Sequence, residues 1–120
     1  MLHLSSSIRY YLYRSPADMR KGFDNLSGIV SSQMRCNACS GDIFIFLNRN
    51  RTHVKLLFWE GDGFSLYYKR LEQGTYELPD YSSSDSMMSI TAQQLQFILQ
   101  GVSLSKITYR KRYQKMERGY

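Results

Sequence analysis

Short runs of hydrophobic and aromatic residues, separated by polar turn residues, form the main pattern of this sequence. The runs are IRYYLYR (8–14), DIFIFLN (42–48), HVKLLFWE (53–60), FSLYYKRLE (64–72) and the shorter TYEL (75–78). Runs of this length and composition are typical of β-strands. The connections NRNR and GDG contain Asn and Gly, which tolerate the positive φ of tight turns. The pattern therefore predicts a sheet of four or five strands that contains two successive short hairpins.

Residues 15–34 show hydrophobic positions at steps of three and four, which is the period of a helix. Ser15 and Asp18 have the spacing of a capping box, and Pro16 suits the first helical position. We therefore predict that the first helix begins at Pro16 and ends near residue 34. Its predicted buried stripe consists of Met19, Phe23, Leu26, Val30 and Met34.

A second helix is predicted after a polar loop over residues 79–89. Thr91 and Gln94 match the capping box, and Gly101 is placed to end the helix. The hydrophobic stripe of this helix consists of Leu95, Ile98 and Leu99. Together the elements predict an α+β fold, with an antiparallel sheet of four or five strands and two helices, at least one of which covers a face of the sheet.

The length of 120 residues is that of one domain, and a content of 14% aromatic residues argues against disorder. The net charge is +6, but residues 101–120 hold six basic residues and one acidic residue, so this segment accounts for +5. We therefore expect one domain over residues 1–104 and a basic tail over residues 105–120. Such a tail binds nucleic acid or an acidic partner, or stays solvated.

Membrane and secreted classes are not indicated. No run approaches the ~20 apolar residues of a membrane span. The N-terminal MLHLSSSIRYYLYRS lacks the early basic cluster and long apolar core of a secretion signal. We therefore expect a cytoplasmic protein that has no membrane partner.

The GDG hairpin carries the first candidate site. A two-residue turn places two sets of alternate residues on one face of the hairpin, and this more apolar face is predicted to be the core. The face consists of Lys55, Leu57 and Trp59 with Phe64, Leu66, Tyr68 and Arg70. Lys55 and Arg70 then approach each other at the open end of the hairpin. Because like charges repel, the pair predicts either a bound anion such as phosphate, or two side chains that diverge into water.

Arg49 and Arg51 extend this candidate surface, because they lie at the NRNR turn with no acidic neighbour in sequence. A basic turn near aromatic residues can follow a nucleic-acid backbone while the aromatic rings stack on bases. Aromatic residues on strands also form ordinary core, and that alternative stays open. Lys69 adds a positive charge on the face of the hairpin opposite to Arg70.

Two other groups of basic residues are candidates for phosphate contacts. Arg20 and Lys21 precede Asp24 by four and three residues, so they can pair with its carboxylate instead of binding phosphate. The tail contributes Arg110, Lys111 and Arg112.

Catalysis is not predicted. A two-metal nuclease needs clustered carboxylates, whereas Asp18, Asp24, Asp42, Glu60 and Asp62 are scattered; a nuclease that uses Glu60 or Asp62 stays an alternative. Cys36 and Cys39 form CNAC, but zinc needs four ligands and the two histidines, His3 and His53, have no paired spacing. We therefore predict loop cysteines, no metal, no cofactor and no enzyme activity.

Four separated segments resemble one known family. They are DMRKGFDNL (18–26), SGDIFIFLNRNR (40–51), KLLFWEGDGFSLYYKRLEQGTYELP (55–79) and TAQQLQFILQG (91–101). In order and spacing they are similar to the small TnpB-type accessory protein, the second open reading frame of the sixty-six class of bacterial insertion sequences. The resemblance covers about residues 8–113. Its motif positions include the candidates Arg20, Lys21, Arg49, Arg51, Lys55, Lys69 and Arg70.

The resemblance implies an accessory factor for transposition that acts beside a separate transposase. One hypothesis is that the chain binds DNA at the element ends through phosphate contacts, as part of a transposase complex. The other is a protein-interaction module that docks on the transposase or on a second accessory protein without touching DNA, through its aromatic sheet surface or an edge strand. Both hypotheses leave the oligomeric state open.

Overall fold

A computed structural model describes residues 7–79 and 85–101, which form a five-stranded sheet with one helix against each face. The elements are β1 (Tyr10–Tyr13), α1 (Phe23–Ser32), β2 (Ile43–Leu47), β3 (His53–Trp59), β4 (Phe64–Arg70), β5 (Met87–Ile90) and α2 (Ala92–Gln100). The predicted α+β class is confirmed, as are the two helices and the number of strands. The predicted domain boundary at residue 104 and the basic tail lie outside the described residues.

The strands lie in the order β4-β3-β2-β1-β5. Three neighbouring pairs are antiparallel, as predicted, but β1 and β2 are parallel, with Tyr10 opposite Ile43 and Leu12 opposite Ile45. A parallel pair needs a long crossover, and the connection from β1 to β2 contains α1. The carboxyl ends of β1 and β2 therefore lie at the same end of the sheet.

Two cores lie on opposite faces of the sheet, because side chains alternate along each strand. The α1-side core contains Leu26 and Val30 of α1 and residues of three strands and of loops, namely Tyr13, Ala17, Met34, Phe44, Phe46 and Leu57. The α2-side core contains Leu95 and Ile98 of α2 with Leu12, Ile43, Ile45, Val54, Leu56 and Tyr76 among others. The prediction that one face of the hairpin is the core was therefore incomplete: a helix packs on each face of the sheet, and the middle of β3 is buried on both faces, whereas β4 is half-buried or exposed.

The first helix begins seven residues later than predicted, at Phe23, with Gly22 as its N-cap. The segment before it crosses the end of the sheet, where the Ala17 N–H donates to the Leu47 carbonyl at 2.8 Å. Asp18 does not cap the helix but closes a local turn, since its carbonyl accepts from the Lys21 N–H and its carboxylate from the Arg20 N–H. Capping residues also favour such turns, which explains the wrong helix start.

The predicted TYEL strand is not a strand in the described residues. Tyr76 is fully buried in the α2-side core instead, and its N–H donates to the Arg51 carbonyl at 2.8 Å. The fifth strand is β5, which begins in the predicted polar loop, ends one residue beyond it, and pairs antiparallel with β1. The core therefore continues through a segment that looked polar in sequence.

The second helix and the GDG hairpin are as predicted. Thr91 and Gln94 form the capping box, and Gly101 ends α2 in the left-handed region with φ +86°. In the hairpin, Trp59 lies opposite Phe64. The Glu60 N–H donates to the Gly63 carbonyl at 2.9 Å, which closes the two-residue turn that the register required.

Candidate nucleic-acid interface

The turn between β2 and β3 is held in place by the side chain of Asn48. Its Oδ1 accepts the backbone N–H groups of Thr52 and His53 at 2.9 and 3.0 Å, and its Nδ2 donates to the Thr52 hydroxyl at 3.0 Å. Arg51 adopts φ +57°, and its N–H donates to the Asn48 carbonyl at 3.1 Å. A network of this kind fixes the backbone, so Arg49 and Arg51 project from a defined turn into solvent.

Strand register brings Arg70 to the same end of the sheet. Arg70 lies opposite His53, the first residue after the turn, and the Leu71 N–H donates to the Thr52 carbonyl at 2.8 Å. We call the sheet end that contains Arg14, Arg49, Arg51 and Arg70 the basic end. Arg70 is exposed and forms an ion pair with Glu72 at 3.0 Å. Within residues 7–79 and 85–101, neither Arg49 nor Arg51 has a carboxylate at ion-pair distance.

Arg14 is the residue that the sequence reasoning missed. It follows β1, and with Arg49 and Arg51 it lines a cleft of about 250 Å³ whose described lining residues include no carboxylate. One guanidinium nitrogen of Arg14 donates to the Asp85 carbonyl at 3.4 Å. Only the parallel pairing of β1 with β2 places Arg14 beside the turn, and the hydrophobic pattern did not indicate that pairing. To place Arg14 in the site, one would have had to know that β1 and β2 are parallel.

Lys55 does not belong to this exposed surface, although the register places it on the same face as Arg70, as predicted. The Lys55 side chain is 5% exposed, and its ammonium donates to the carbonyls of Met19 and Lys21, each at 2.7 Å. Its partner on β4 is Tyr68, and Nζ lies 4.6 Å from the centre of that ring. Burial lowers the pKa of Lys55, and the charge of Asp18 partly opposes that shift. Lys55 therefore holds the 19–21 segment against the sheet and does not diverge into water, and an anion near Arg70 stays a prediction.

Arg20 and Lys21 are placed by the same segment. Arg20 pairs with Asp18, with Nη2 and Oδ2 2.6 Å apart, rather than with Asp24 as the sequence suggested. The hydrogen bonds from Arg20 hold the pKa of Asp18 well below its usual range. Lys21 contributes its carbonyl to Lys55, and the described residues offer its ammonium no ion-pair partner.

The remaining basic candidates are divided between two regions. Lys69 is exposed on β4 and points to the face opposite to Arg70, as predicted from the register. The predicted contacts of Arg110, Lys111 and Arg112 fall outside the described residues.

Three carboxylates lie at the opposite end of the sheet, whereas Asp18 and Glu72 lie near the basic end. Glu60 and Asp62 lie at the turn between β3 and β4, where the Ser65 hydroxyl donates to the Glu60 carboxylate. Asp42 precedes β2 and pairs with Arg9 at 3.5 Å. In the part of the chain that the structure describes, no three His, Cys, Asp or Glu side chains come together in a way that could hold a metal ion.

The two cysteines lie after α1 as free thiols. Cys36 is half-buried, its Sγ lies 3.4 Å from the Met34 carbonyl, and burial raises the pKa of its thiol. Cys39 is exposed. A thiol with a raised pKa is a weaker nucleophile at neutral pH than an ordinary one, which fits a loop position better than a redox site.

Comparison with known proteins gives the biological setting. The IS66 Orf2-like protein family matches residues 8–109. The chain belongs to the IS66 Orf2-like family. It is similar to two proteins of Sinorhizobium fredii (strain NBRC 101917 / NGR234), both called uncharacterized: y4hO, 29% identical over 85% of this chain and 87% of the relative, and y4jC, 24% identical over 89% and 90%. No solved structure matches the chain significantly.

Family membership makes this IS66 Orf2-like chain an accessory protein of an insertion sequence, as the sequence resemblance indicated. It associates the chain with the machinery of transposition. Among the described residues, no helix has the length and apolar character needed to cross a membrane.

Proposed function

We propose that this IS66 Orf2-like protein binds DNA at the element ends through the basic end of its sheet, as part of a transposase complex. The observation that carries the proposal is the position of Arg49 and Arg51, exposed on a fixed turn and without an ion-pair partner among the described residues. Guanidinium groups bind phosphate in a planar, bidentate manner, so a rigid turn with two of them suits a phosphate backbone.

The neighbouring residues support contact with more than one phosphate. Arg14 shares with both turn arginines a cleft that has no carboxylate among its described lining residues, and Arg70 lies one strand away at the same end. The carboxylates at the far turn are separated from this surface by the length of the strands, about 20 Å at ~3.3 Å per residue. The charge of the domain is therefore arranged so that one end favours a polyanion. The role is structural, holding DNA while a separate transposase performs the chemistry.

The test is fluorescence anisotropy of full-length protein with labelled duplex from the element ends, across a salt series. Each neutralised phosphate on duplex DNA contributes about −0.9 to the slope of log affinity against log salt, so the double variant R49A/R51A should have a slope shallower by about 2. Arg9→Ala removes an arginine from the opposite end and serves as the matched control, with an expected slope equal to that of the wild type. Binding that barely changes with salt, or equal losses in both variants, contradicts the proposal.

The basic tail is a separate contributor to the proposed DNA contact. Replacing Arg110, Lys111 and Arg112 together with Gln in the full chain removes three of its charges and leaves its length unchanged. If the domain surface alone binds DNA, this variant has the salt slope of the wild type, whereas R49A/R51A has the shallower slope. The reverse result assigns the contact to the tail.

A second candidate function is docking on the transposase or on another accessory protein. The observations that favour it are β4, which lies at an edge of the sheet in the part of the chain that the structure describes, and Phe23, which is 46% exposed. Edge strands accept an added strand from a partner, and exposed aromatic side chains are common in interfaces. Co-purification with the element's transposase, lost in Phe23→Ala but kept in R49A/R51A, would separate this function from DNA binding.

A further inference from the structure

We propose that a cleft formed by His53, Tyr68, Arg70 and Glu72 binds one unpaired base of single-stranded DNA. The cleft has a volume of about 340 Å³ and lies beside the basic end. That volume is within the range of small-ligand sites. The inference rests on the proposed DNA-binding function and adds to it a preference for strands whose bases are accessible.

Tyr68 supplies the stacking surface. It is 53% exposed, which is unusual for a large aromatic side chain on a sheet with two cores. The Lys55 ammonium, which is itself buried, lies 4.6 Å from the ring centre, and the centre of the His53 ring lies 6.0 Å away with the two ring planes 35° apart. The cation holds the ring in place, and in this proposal a base stacks on the exposed part of the ring beside His53.

The tautomer of His53 follows from the turn that precedes it. The Oδ1 of Asn48 accepts two backbone N–H groups, which fixes the orientation of the amide. Its Nδ2 therefore faces His53 Nδ1 at 3.2 Å and, as a donor, requires that nitrogen to accept. This network assigns the hydrogen of the neutral ring to Nε2. His53 thus adds a donor to the residues that line the cleft.

Arg70 and Glu72 complete the polar lining. Their side chains are 3.0 Å apart, so a guanidinium donor and a carboxylate acceptor stand side by side. Base edges present donors and acceptors next to each other, and carboxylates accept from exocyclic amino groups. An aromatic face with this mixed lining matches an unstacked base better than a lone phosphate, which would be repelled by Glu72.

The cleft and the turn that carries Arg49 and Arg51 are adjacent in the structure. Arg70 lies opposite His53 on β3, and the Leu71 N–H donates to the Thr52 carbonyl at 2.8 Å. A strand with one base on Tyr68 can therefore place its neighbouring phosphate near Arg51. In a duplex the bases are stacked and paired, so their faces cannot reach Tyr68.

The test uses full-length protein and two labelled single strands of equal length, one with bases and one with an abasic sugar-phosphate backbone. Tyr68→Ala should weaken binding of the base-containing strand by about 5- to 150-fold and leave abasic binding nearly unchanged. Tyr68→Phe should keep the wild-type affinity for both strands. Lys69→Ala, which removes a neighbouring charge from the opposite face, should change both affinities by the same factor.

The outcomes separate this inference from the proposed function. If the protein binds both strands equally well, or if Tyr68→Ala affects neither or both equally, the base site is wrong while DNA binding by the basic end stands. If full-length protein binds no DNA at all, the proposed function fails, and the base site fails with it. Circular dichroism of Tyr68→Ala shows whether the fold is kept, and Tyr68→Phe tests the stacking independently of that result.

Discussion

The two hairpin turns at the ends of β3 differ in charge and in how they are built. The turn before β3 is basic and is held by four hydrogen-bond contacts of one side chain, that of Asn48. The turn after β3 contains Glu60 and Asp62 and relies on Gly61, which adopts φ +95°. One strand thus separates a rigid cationic surface from an anionic one. The site therefore depends on the end of the sheet at which a charge lies, more than on the number of charges nearby in sequence.

The largest effect is expected at Lys55, a basic residue near the cationic turn that has a structural role. Lys55→Ala should lower the free energy of unfolding by about 2–4 kcal/mol, because it removes a buried stem and leaves the Met19 and Lys21 carbonyls without their donor. Urea unfolding followed by circular dichroism measures this. The exposed Lys69 is the control, and Lys69→Ala should stay within about 0.5 kcal/mol of the wild type. Equal effects at the two positions would show that Lys55 is not buried as described.

The next effect is expected at Asn48, which builds the basic turn. Asn48→Ala should lower the free energy of unfolding by about 1–2 kcal/mol, since the Thr52 and His53 N–H groups lose their acceptor. It should also weaken DNA binding, although no charge is lost, because Arg49 and Arg51 are no longer held in one arrangement. Asp62→Ala at the opposite turn should change the free energy of unfolding by less than about 0.5 kcal/mol. An Asn48→Ala variant with unchanged stability and unchanged DNA affinity would contradict the role assigned to this side chain.

Two smaller and unequal effects on stability are expected where the two turns use positive φ. Gly61→Ala should cost about 1 kcal/mol through its backbone alone, since an added Cβ meets no atom within 4 Å. Arg51→Gly relieves a strained φ of +57° but adds freedom to the unfolded chain, so its net effect should be within about 0.5 kcal/mol. The DNA affinity of Arg51→Gly should nevertheless fall. Thermal unfolding and anisotropy on the same samples would show whether stability and binding separate in this way.

Much of the fold was predictable because local sequence and register agreed. The GDG turn between β3 and β4 and the capping box of α2, formed by Thr91 and Gln94, were each compatible with one local structure. The two-residue turn also fixed which side chains share a face. The start of α1 was not predictable in this way, since Ser15 and Asp18 suit both a helix cap and a turn. Only the contact of the 17–21 segment with the sheet decided between them.

The candidate site was partly predictable for the same reason. Arg49 and Arg51 were placed correctly by a local turn pattern, whereas Arg14 joined them through a parallel pairing that hydrophobic alternation does not specify. The strand position of Lys55 was predicted correctly. Lys55 was nevertheless assigned to the exposed surface, because the residues that contact its side chain were not known. The carbonyls that bind its ammonium are 34 and 36 residues away in sequence. Long-range contacts of this kind leave no local pattern.

The smallest effect on stability is expected at Asp18, a carboxylate that lies near the basic end. The Arg20 guanidinium and backbone N–H hold the pKa of Asp18 below its usual value, so its ionised form is favoured in the folded protein. A depressed folded pKa gives a stabilising contribution that is present above the unfolded pKa, near 4, and is lost as the pH falls below it. Asp18→Asn removes this contribution, so the variant should be slightly less stable than the wild type at pH 6 and equal to it well below pH 4. Because the pair is exposed, the difference should be small and should shrink with added salt. Arg20→Gln removes the same ion pair from the other side and should give the same pH dependence of stability. If Asp18→Asn remains less stable than the wild type in strong acid, Asp18 acts through its turn geometry rather than its charge.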